Sequence, residues 1–308
     1  MNFLILIAVF LHIRRIMGEG RHKQSLRSAS QHLNSYHNSS DLFFEDFCMN
    51  DLERRHKIHC EESTRELQEG RNALLKYFNI SDVKSKFYWQ NFWQANYEPT
   101  WTCPFERRMG RRSDGGKWVC DPHKIFAKKS CIVYSVGSND RFDFEEAIHD
   151  AGNHCEIHTF EIKTNNTRVP YFINFHQLEI SATTAAENKK SLYTIMDDLN
   201  HTDTVIDILK FDADGVEYSI FTPSLFTEIS QRRILVRQIL IEVHPYPGTT
   251  ATILKNVRKL FSTFNDNNYA IFHKEPNIIL GNHGKLVEFA LLKLPDDLKC
   301  NSTIERHL

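Results

Sequence analysis

Between Cys131 and Leu294, short apolar runs alternate with stretches of helical periodicity, and this alternation restricts the possible folds more than any other feature of the chain. CIVYSVG (131–137), CEIHTFEI (155–162), VIDILKFDADG (205–215), RQILIEVH (237–244), YAIFHKE (269–275) and LVEFALLKL (286–294) read as strands. FDFEEAIHDAG (142–152), SLYTIMDDL (191–199) and TILKNVRKLFSTFN (252–265) place apolar residues three and four apart, as one face of a helix requires. Strands alternating with helices of this length build β-α-β units, and hence a doubly wound, mostly parallel α/β sheet. The last two runs are joined by EPNIILGNHGK, with no helical pattern between them. That predicts a hairpin-like ending and an antiparallel final strand.

The residues before this region differ in character. Phe3 to Leu11 is an unbroken apolar run closed by Arg14 and Arg15. A helix crossing the bilayer core needs about 20 apolar residues, so the run suits a signal-peptide core, with a short uncleaved anchor as the alternative. Residues 1–20 are therefore assigned to a signal peptide or short anchor. Residues 21–41, rich in Ser, His, Asn and Arg, are assigned to a flexible linker. A helical and loop-rich, Cys-bearing extension is expected over 42–125. Its first part carries two or three helices, and residues 79–125 form an aromatic-rich irregular region. The α/β domain then occupies 126–296 and a tail 297–308. The 38 basic and 39 acidic residues nearly cancel, so nothing in the charge points to nucleic acid or to a basic partner. Sequons at Asn38, Asn79, Asn165, Asn200 and Asn301 agree with a secretory route, to the exterior or to the ER or Golgi lumen.

In a doubly wound sheet, ligands bind at the carboxyl ends of the strands, where the strand order reverses. The first strand of the α/β region ends in Ser135-Val136-Gly137-Ser138-Asn139-Asp140. Gly137 permits a sharp turn, and the next backbone N–H groups face the site; a side chain at Gly137 is expected to stand where a ligand would lie. A dinucleotide fingerprint has three glycines there, so that a pyrophosphate can rest on bare backbone. One glycine followed by Asp140 suits a cationic or zwitterionic ligand such as S-adenosylmethionine, which has a sulfonium and an amine and no phosphate. Glu161, at the end of the second strand, is placed to accept ribose hydroxyls; the ordinary alternative is an exposed strand-end charge.

CIVYSVGSNDRFDFEEAI, HCEIHTFE, ILKFDADGVEY, QILIEVH and HKEPN...VEFALLKL, in that order, resemble the eukaryotic methyltransferase-domain family typified by methyltransferase-like protein twenty-four, distant relatives of FkbM-type methyltransferases. YEPTWTCPFERRMGRRSDGGKWVCDPHKI (97–125) resembles the hallmark of that group. The resemblance spans residues 97–294. It implies a class I, Rossmann-like methyltransferase fold with S-adenosylmethionine as cofactor. Gly137, Ser138, Asn139 and Asp140 would line its methionine and adenosine end, and Glu161 its ribose. The chain departs from the FkbM-type Asp-x-Glu-Gly pattern in having Asp212-Ala213-Asp214-Gly215, and it has Glu161 where Asp is more common. Each change keeps the charge and alters the reach by one methylene.

Methyl transfer is an in-line displacement that needs a positioned acceptor and, for a hydroxyl, a group that takes its proton. Asp212, Asp214, Glu242 and His244 fall at strand carboxyl ends and are the catalytic candidates, with His244 as base. Asp212, Asp214 and Glu242 would also suit a divalent cation, but no metal is assigned; the ordinary alternative is that the two aspartates cap the next helix and Asp214-Gly215 sets a turn. Lys117 and Trp118 read either as a solvated lysine and a core-edge tryptophan, or as part of a lid hinged at Gly115 and Gly116.

The seven cysteines complete the pattern. Cys131 precedes Gly137 by six residues and Cys155 precedes Glu161 by six, so both fall at the opposite sheet edge on neighbouring strands, within reach of a disulfide. Cys103 and Cys120 are the next expected pair. Cys48 and Cys60 would need an intervening turn, and Cys300 is left over. Three functions remain open: a secretory-pathway methyltransferase with an unidentified small-molecule, glycan or protein acceptor, a non-catalytic binding module on the same fold, and a nicotinamide oxidoreductase, which the single glycine and Asp140 disfavour.

Overall fold

The computed structural model describes residues 88–295 except 113, 164–167, 247 and 278–284, all within the compact unit Cys48–Leu308. The expected signal segment, linker, early helices, tail, Cys48, Cys60, Cys300 and every sequon but Asn200 lie outside the described residues. In chain order the elements are α1 (Tyr88–Ala95), β1 (Glu106–Met109), β2 (Lys117–Cys120), α2 (Pro122–Phe126), β3 (Ile132–Val136), α3 (Asp143–Ala151), β4 (Glu156–Phe160), β5 (Ile173–His176), β6 (Glu179–Ser181), β7 (Lys189–Ser191), α4 (Leu192–Asp198), β8 (Val205–Phe211), α5 (Glu217–Ile220), α6 (Pro223–Gln231), β9 (Leu235–Val243), α7 (Thr250–Asp266), β10 (Tyr269–Asn277) and β11 (Leu286–Lys293).

Seven strands form one sheet in the order β10-β11-β9-β8-β3-β4-β5. Pairs β9-β8, β8-β3, β3-β4 and β4-β5 are parallel, and β11 runs antiparallel to both of its neighbours. The doubly wound sheet and its antiparallel final strand are thus as expected. β8, β9 and β11 are buried almost throughout, because other elements, the β1-β2 hairpin among them, cover the sheet and leave no solvent side to alternate toward. In α7, Ile253, Val257, Leu260, Phe261 and Phe264 make the buried stripe, and the Thr249 side chain caps the first turn by accepting from Thr252 N. Strand order reverses at β3, which lies between β4 and β8, so the crevice opens at their carboxyl ends.

The irregular region expected over 79–125 is more ordered than its sequence suggests. It contains α1, the antiparallel β1-β2 hairpin and α2. Trp93 of α1 donates to Lys285 O at 2.8 Å and packs against Phe289. The hairpin is fixed to β9 by Gln238, whose amide accepts from Cys120 N at 2.9 Å and donates to Cys120 O at 2.7 Å. ERRM and KWVC show no apolar alternation because the buried positions of β2 include the charged Lys117, and the partner strand and Gln238 fix the hairpin. The short β5, β6, β7 and α5 escape the sequence because none is long enough to show a period, whereas α6, with Leu225, Phe226 and Ile229 on its buried face, carries a readable one.

Both expected disulfides are present, Cys103–Cys120 with Cα atoms 5.8 Å apart and Cys131–Cys155 at 4.5 Å. No helix among the described residues is long and apolar enough to cross a membrane. Asn200 is exposed in a left-handed turn.

Candidate active site

The site begins where β3 ends. Gly137 has φ +76°, and Asn139 and Asp140 follow in the same left-handed region. A Cβ at Gly137 would stand 1.7 Å from Asp212 O. This corrects the expectation for that position: the glycine is required by the close passage of β8, and a side chain there would strike protein backbone before any ligand. Lys210 Nζ donates to Gly137 O at 2.6 Å from the β8 side. Ser138 Oγ and Ser135 Oγ are buried without a hydrogen-bond partner.

Glu161 follows β4 immediately. Its Oε2 accepts from Asn139 N at 2.9 Å and its Oε1 from Lys163 N at 2.8 Å, so it braces the β3 loop from the neighbouring strand. A carboxylate has about four lone-pair sites, which leaves acceptor capacity for a ligand. The first turn of α3 carries Asp143, Glu145 and Glu146. Acids at a helix N-terminus offset its positive end and make the loop a poor seat for phosphate. Gly137, Ser138, Asn139, Asp140 and Glu161 are therefore brought together at one edge, with Ser135 just inside it.

The catalytic candidates meet on the other side of β3. Asp212 ends β8, and Glu242 and His244 lie at the end of β9. His244 Nε2 is 3.5 Å from Glu242 Oε2, 3.9 Å from Asp214 Oδ1 and 4.0 Å from Asp212 Oδ1. Glu217, wholly buried in α5, accepts from His244 N at 2.7 Å, and its Oε1 is 3.4 Å from Nδ1. Asp214 and Gly215 both have positive φ and set the turn; the helix that follows has no side-chain cap, so the aspartates are not capping residues. The Asp214 side chain is 85% exposed, unlike its neighbours.

Sequence reasoning placed Lys117 in solvent or in a lid. It is buried at 1% exposure, with Nζ 2.5 Å from Glu288 Oε1 and 3.2 Å from Asp212 Oδ2. Glu288 of β11 pairs across the sheet with Glu242, and Asn277 donates to Glu242 Oε1 at 2.8 Å and to Asp114 Oδ1 at 3.1 Å. Lys117 and Glu288 are the site residues that the sequence concealed. The only signal was an isolated charge inside the apolar run LVEFALLK. Trp118 stacks on His273 with ring centroids 4.2 Å apart and donates to Glu275 at 2.8 Å, at the edge of the core.

These neighbours set the charge states. Burial opposes charging Lys117, but Asp212, Glu288 and Glu242 overturn it and hold the ammonium above its ordinary pKa. Burial would also raise Asp212; Lys117 and Lys210 reverse that and keep it ionised below the usual carboxylate range. Glu242 goes the other way: burial, then the Asp212 and Glu288 charges, push its pKa up to about 10. Burial likewise lifts Glu288, despite the adjacent ammonium. For His244, burial favours the neutral ring, yet Glu217, Asp212 and Asp214 together raise its pKa above 6.5. The surrounding acids therefore make the expected base harder to deprotonate than a free imidazole. Asp212, Glu242 and His244 also offer donor atoms all within 4.8 Å of one another, a spacing that a divalent cation accepts.

A family model for the methyltransferase domain matches residues 35–293. The chain belongs to that family. The match runs through the N-terminal extension, the hairpin and the sheet, so the buried Lys117 and the strand-end acids lie within one methyltransferase domain of class I, Rossmann-like architecture. No curated protein matches the sequence. Among solved structures, the chain is similar to a "putative hemolysin" from Streptococcus thermophilus, at 15% identity over 55% of this chain and 63% of that one, with a TM-score of 0.35. It is similar to the fibrillarin/Nop5p complex at 9% identity over 53% and 73% of the chains, TM-score 0.35. A geranyl diphosphate methyltransferase solved with GPP and sinefungin matches at 9% identity over 55% and 75%, TM-score 0.32. Likenesses at this level carry no information about activity.

Proposed function

We propose that this methyltransferase domain binds S-adenosylmethionine and moves its methyl group to an oxygen or nitrogen acceptor on a small molecule, glycan or protein within the secretory pathway. The observation that carries the reading is the junction at β3: an acid-rich, phosphate-averse loop with unpartnered Ser138 on one side, and the Asp212, Asp214, Glu242 and His244 group on the other. The finer likeness to the family typified by methyltransferase-like protein twenty-four, and through it to FkbM-type enzymes, supports the same reading, as do the two disulfides for the compartment.

Ser138, Asn139, Asp140 and Glu161 would hold the cofactor, which supplies an electrophilic methyl on a sulfonium. Gly137 shapes the loop without touching it. Asp214 is the carboxylate open to an incoming acceptor, and His244 lies 3.9 Å behind it. His244 takes a proton from an acceptor hydroxyl once it has lost its own, so transfer accelerates as pH rises through its raised pKa. Asp212 stays ionised beside Lys117, Glu217 holds the His244 segment from behind, and Glu242 stays protonated and does not compete as base.

Thermal unfolding with S-adenosylmethionine and NAD side by side tests the assignment, because a ligand that binds only the native state raises the midpoint. A rise with S-adenosylmethionine alone is expected. No rise with S-adenosylmethionine, or a rise with NAD, overturns it. A second reading, a binding module that keeps the cofactor site without turnover, is favoured by the charge states: Asp212 and Glu288 are tied to Lys117 and Glu242 is protonated. Cofactor binding without transfer to any acceptor would decide for it.

A further inference from the structure

A second polar cluster lies on the sheet between β4 and the end of α4, and no part of the proposed reaction uses it. Glu156 and His158 are two residues apart on β4 and so project from the same face. His201 reaches the same point from the turn after α4. Glu156 Oε1 is 2.7 Å from His158 Nε2 and 3.7 Å from His201 Nε2. His158 is 3% exposed and His201 7%, whereas the Glu156 side chain is 49% exposed and opens the group to solvent.

We propose that Glu156, His158 and His201 bind a divalent transition-metal ion of the Zn2+ type, with His176 and Tyr134 holding the two imidazoles in the ligating orientation. Two imidazoles and a carboxylate, with water in the fourth position, are a recurrent tetrahedral Zn2+ set. Ligand atoms about 2.0–2.1 Å from such an ion stand about 3.3 Å from one another. The observed separations of 2.7 and 3.7 Å straddle that value, and the half-exposed Glu156 side chain is free to adjust.

The outer contacts point to a ligand more strongly than the inner ones. A ligating histidine normally donates its other ring N–H to a fixed partner. Here both do. His158 Nδ1 is 2.9 Å from His176 Nε2, and His201 Nδ1 is 2.7 Å from the Tyr134 hydroxyl. Both Nε2 atoms are thereby turned toward Glu156. The rings are locked by packing as well: Tyr134, His158 and His201 contact one another with centroids 5.3–5.7 Å apart, and His176 stacks on Phe160 at 4.8 Å. Glu156 adjoins Cys155 of the disulfide and precedes Glu161 by five residues, which is about 16 Å along a strand. The site is therefore separate from the cofactor edge.

The test uses the full, disulfide-intact chain, freed of metal by chelation and titrated with Zn2+ by calorimetry and with Co2+ by visible absorption. One ion per chain is expected, with a ligand-field spectrum of low coordination number. Glu156→Gln and His201→Asn should each weaken Zn2+ binding at least tenfold and remove the Co2+ spectrum. Tyr134→Phe, which touches no metal, should weaken it by about 10-fold or more. Glu156→Gln replaces a half-exposed group and keeps the fold, which circular dichroism would verify. Absence of stoichiometric Zn2+ binding overturns the proposal. So does binding that survives Glu156→Gln and His201→Asn but is lost in Glu242→Gln, since the ion would then belong to the Asp212, Glu242 and His244 group.

Discussion

The carboxyl-edge cluster around Lys117 and the histidine cluster around Glu156 are both buried polar groups on one sheet, yet they balance charge by opposite means. At the carboxyl edge, the fully buried Lys117 ammonium, with Lys210 beside Asp212, faces Asp212, Glu242 and Glu288, and one of those acids keeps its proton to limit the repulsion. In the other cluster the imidazoles can remain neutral, and the one carboxylate lies half in water. The first arrangement is intolerant of losing any charge. The second can lose one or accept another, which is what a site for an added ion requires.

The largest test of this contrast is Lys117→Met. It leaves Asp212 and Glu288 without their buried counter-charge, and removing one partner of such a pair costs about 3–5 kcal/mol. Urea unfolding should show that loss, and a loss below 1 kcal/mol by the same measurement would remove the contrast. Replacing Cys131 and Cys155 together by serine comes next, at about 2–4 kcal/mol. It would show that the amino edge is held by a covalent bond where the opposite edge is held by charge.

Glu161→Ala should weaken S-adenosylmethionine binding by about 1.5–3 kcal/mol, the cost of losing a charged hydrogen-bond acceptor. Calorimetry on that variant and on Glu156→Gln separates the edges, since the second should leave cofactor affinity unchanged. Gly137→Val is a poor substitute, because its Cβ would collide with Asp212 O and disturb the fold itself.

A smaller effect is expected in the pH dependence. The folded pKa of Glu242 is raised above 4.5, so the folded state binds its proton more tightly than the unfolded chain does. That contribution to stability is complete below about pH 4.5 and is lost as pH rises through the raised value. Asp212 has the opposite sign: its contribution is present at neutral pH and lost on acidification. The unfolding midpoint of Glu242→Gln should therefore fall less steeply than that of the wild type between neutral and alkaline pH. Parallel curves would mean that Glu242 is ionised in the folded protein. The smallest effect belongs to Glu156→Gln without metal, about 0.5 kcal/mol or less in urea, as for an exposed charge.

The sequence by itself determined the strands from β3 onward that carry long apolar runs, the helices with an apolar stripe, the antiparallel ending and both disulfides. The elements follow from local periodicity and Cys131–Cys155 from equal offsets along neighbouring strands, while the pairing of Cys103 with Cys120 follows from their bracketing the glycine-rich segment. It also placed Gly137, Glu161, Asp212, Glu242 and His244 at strand ends, since a strand's carboxyl terminus is a local property. What only the tertiary structure decided are relations between distant segments. Lys117 and Glu288 are separated by 171 residues and meet because the hairpin lies across β9 and β11. The raised pKa values of Glu242 and His244 arise from burial and from acids brought from β8, β11 and α5, which no pattern along the chain encodes. Gly137 looked like space for a ligand and is space for the carbonyl of Asp212, because sequence shows that a turn is sharp but not what passes behind it.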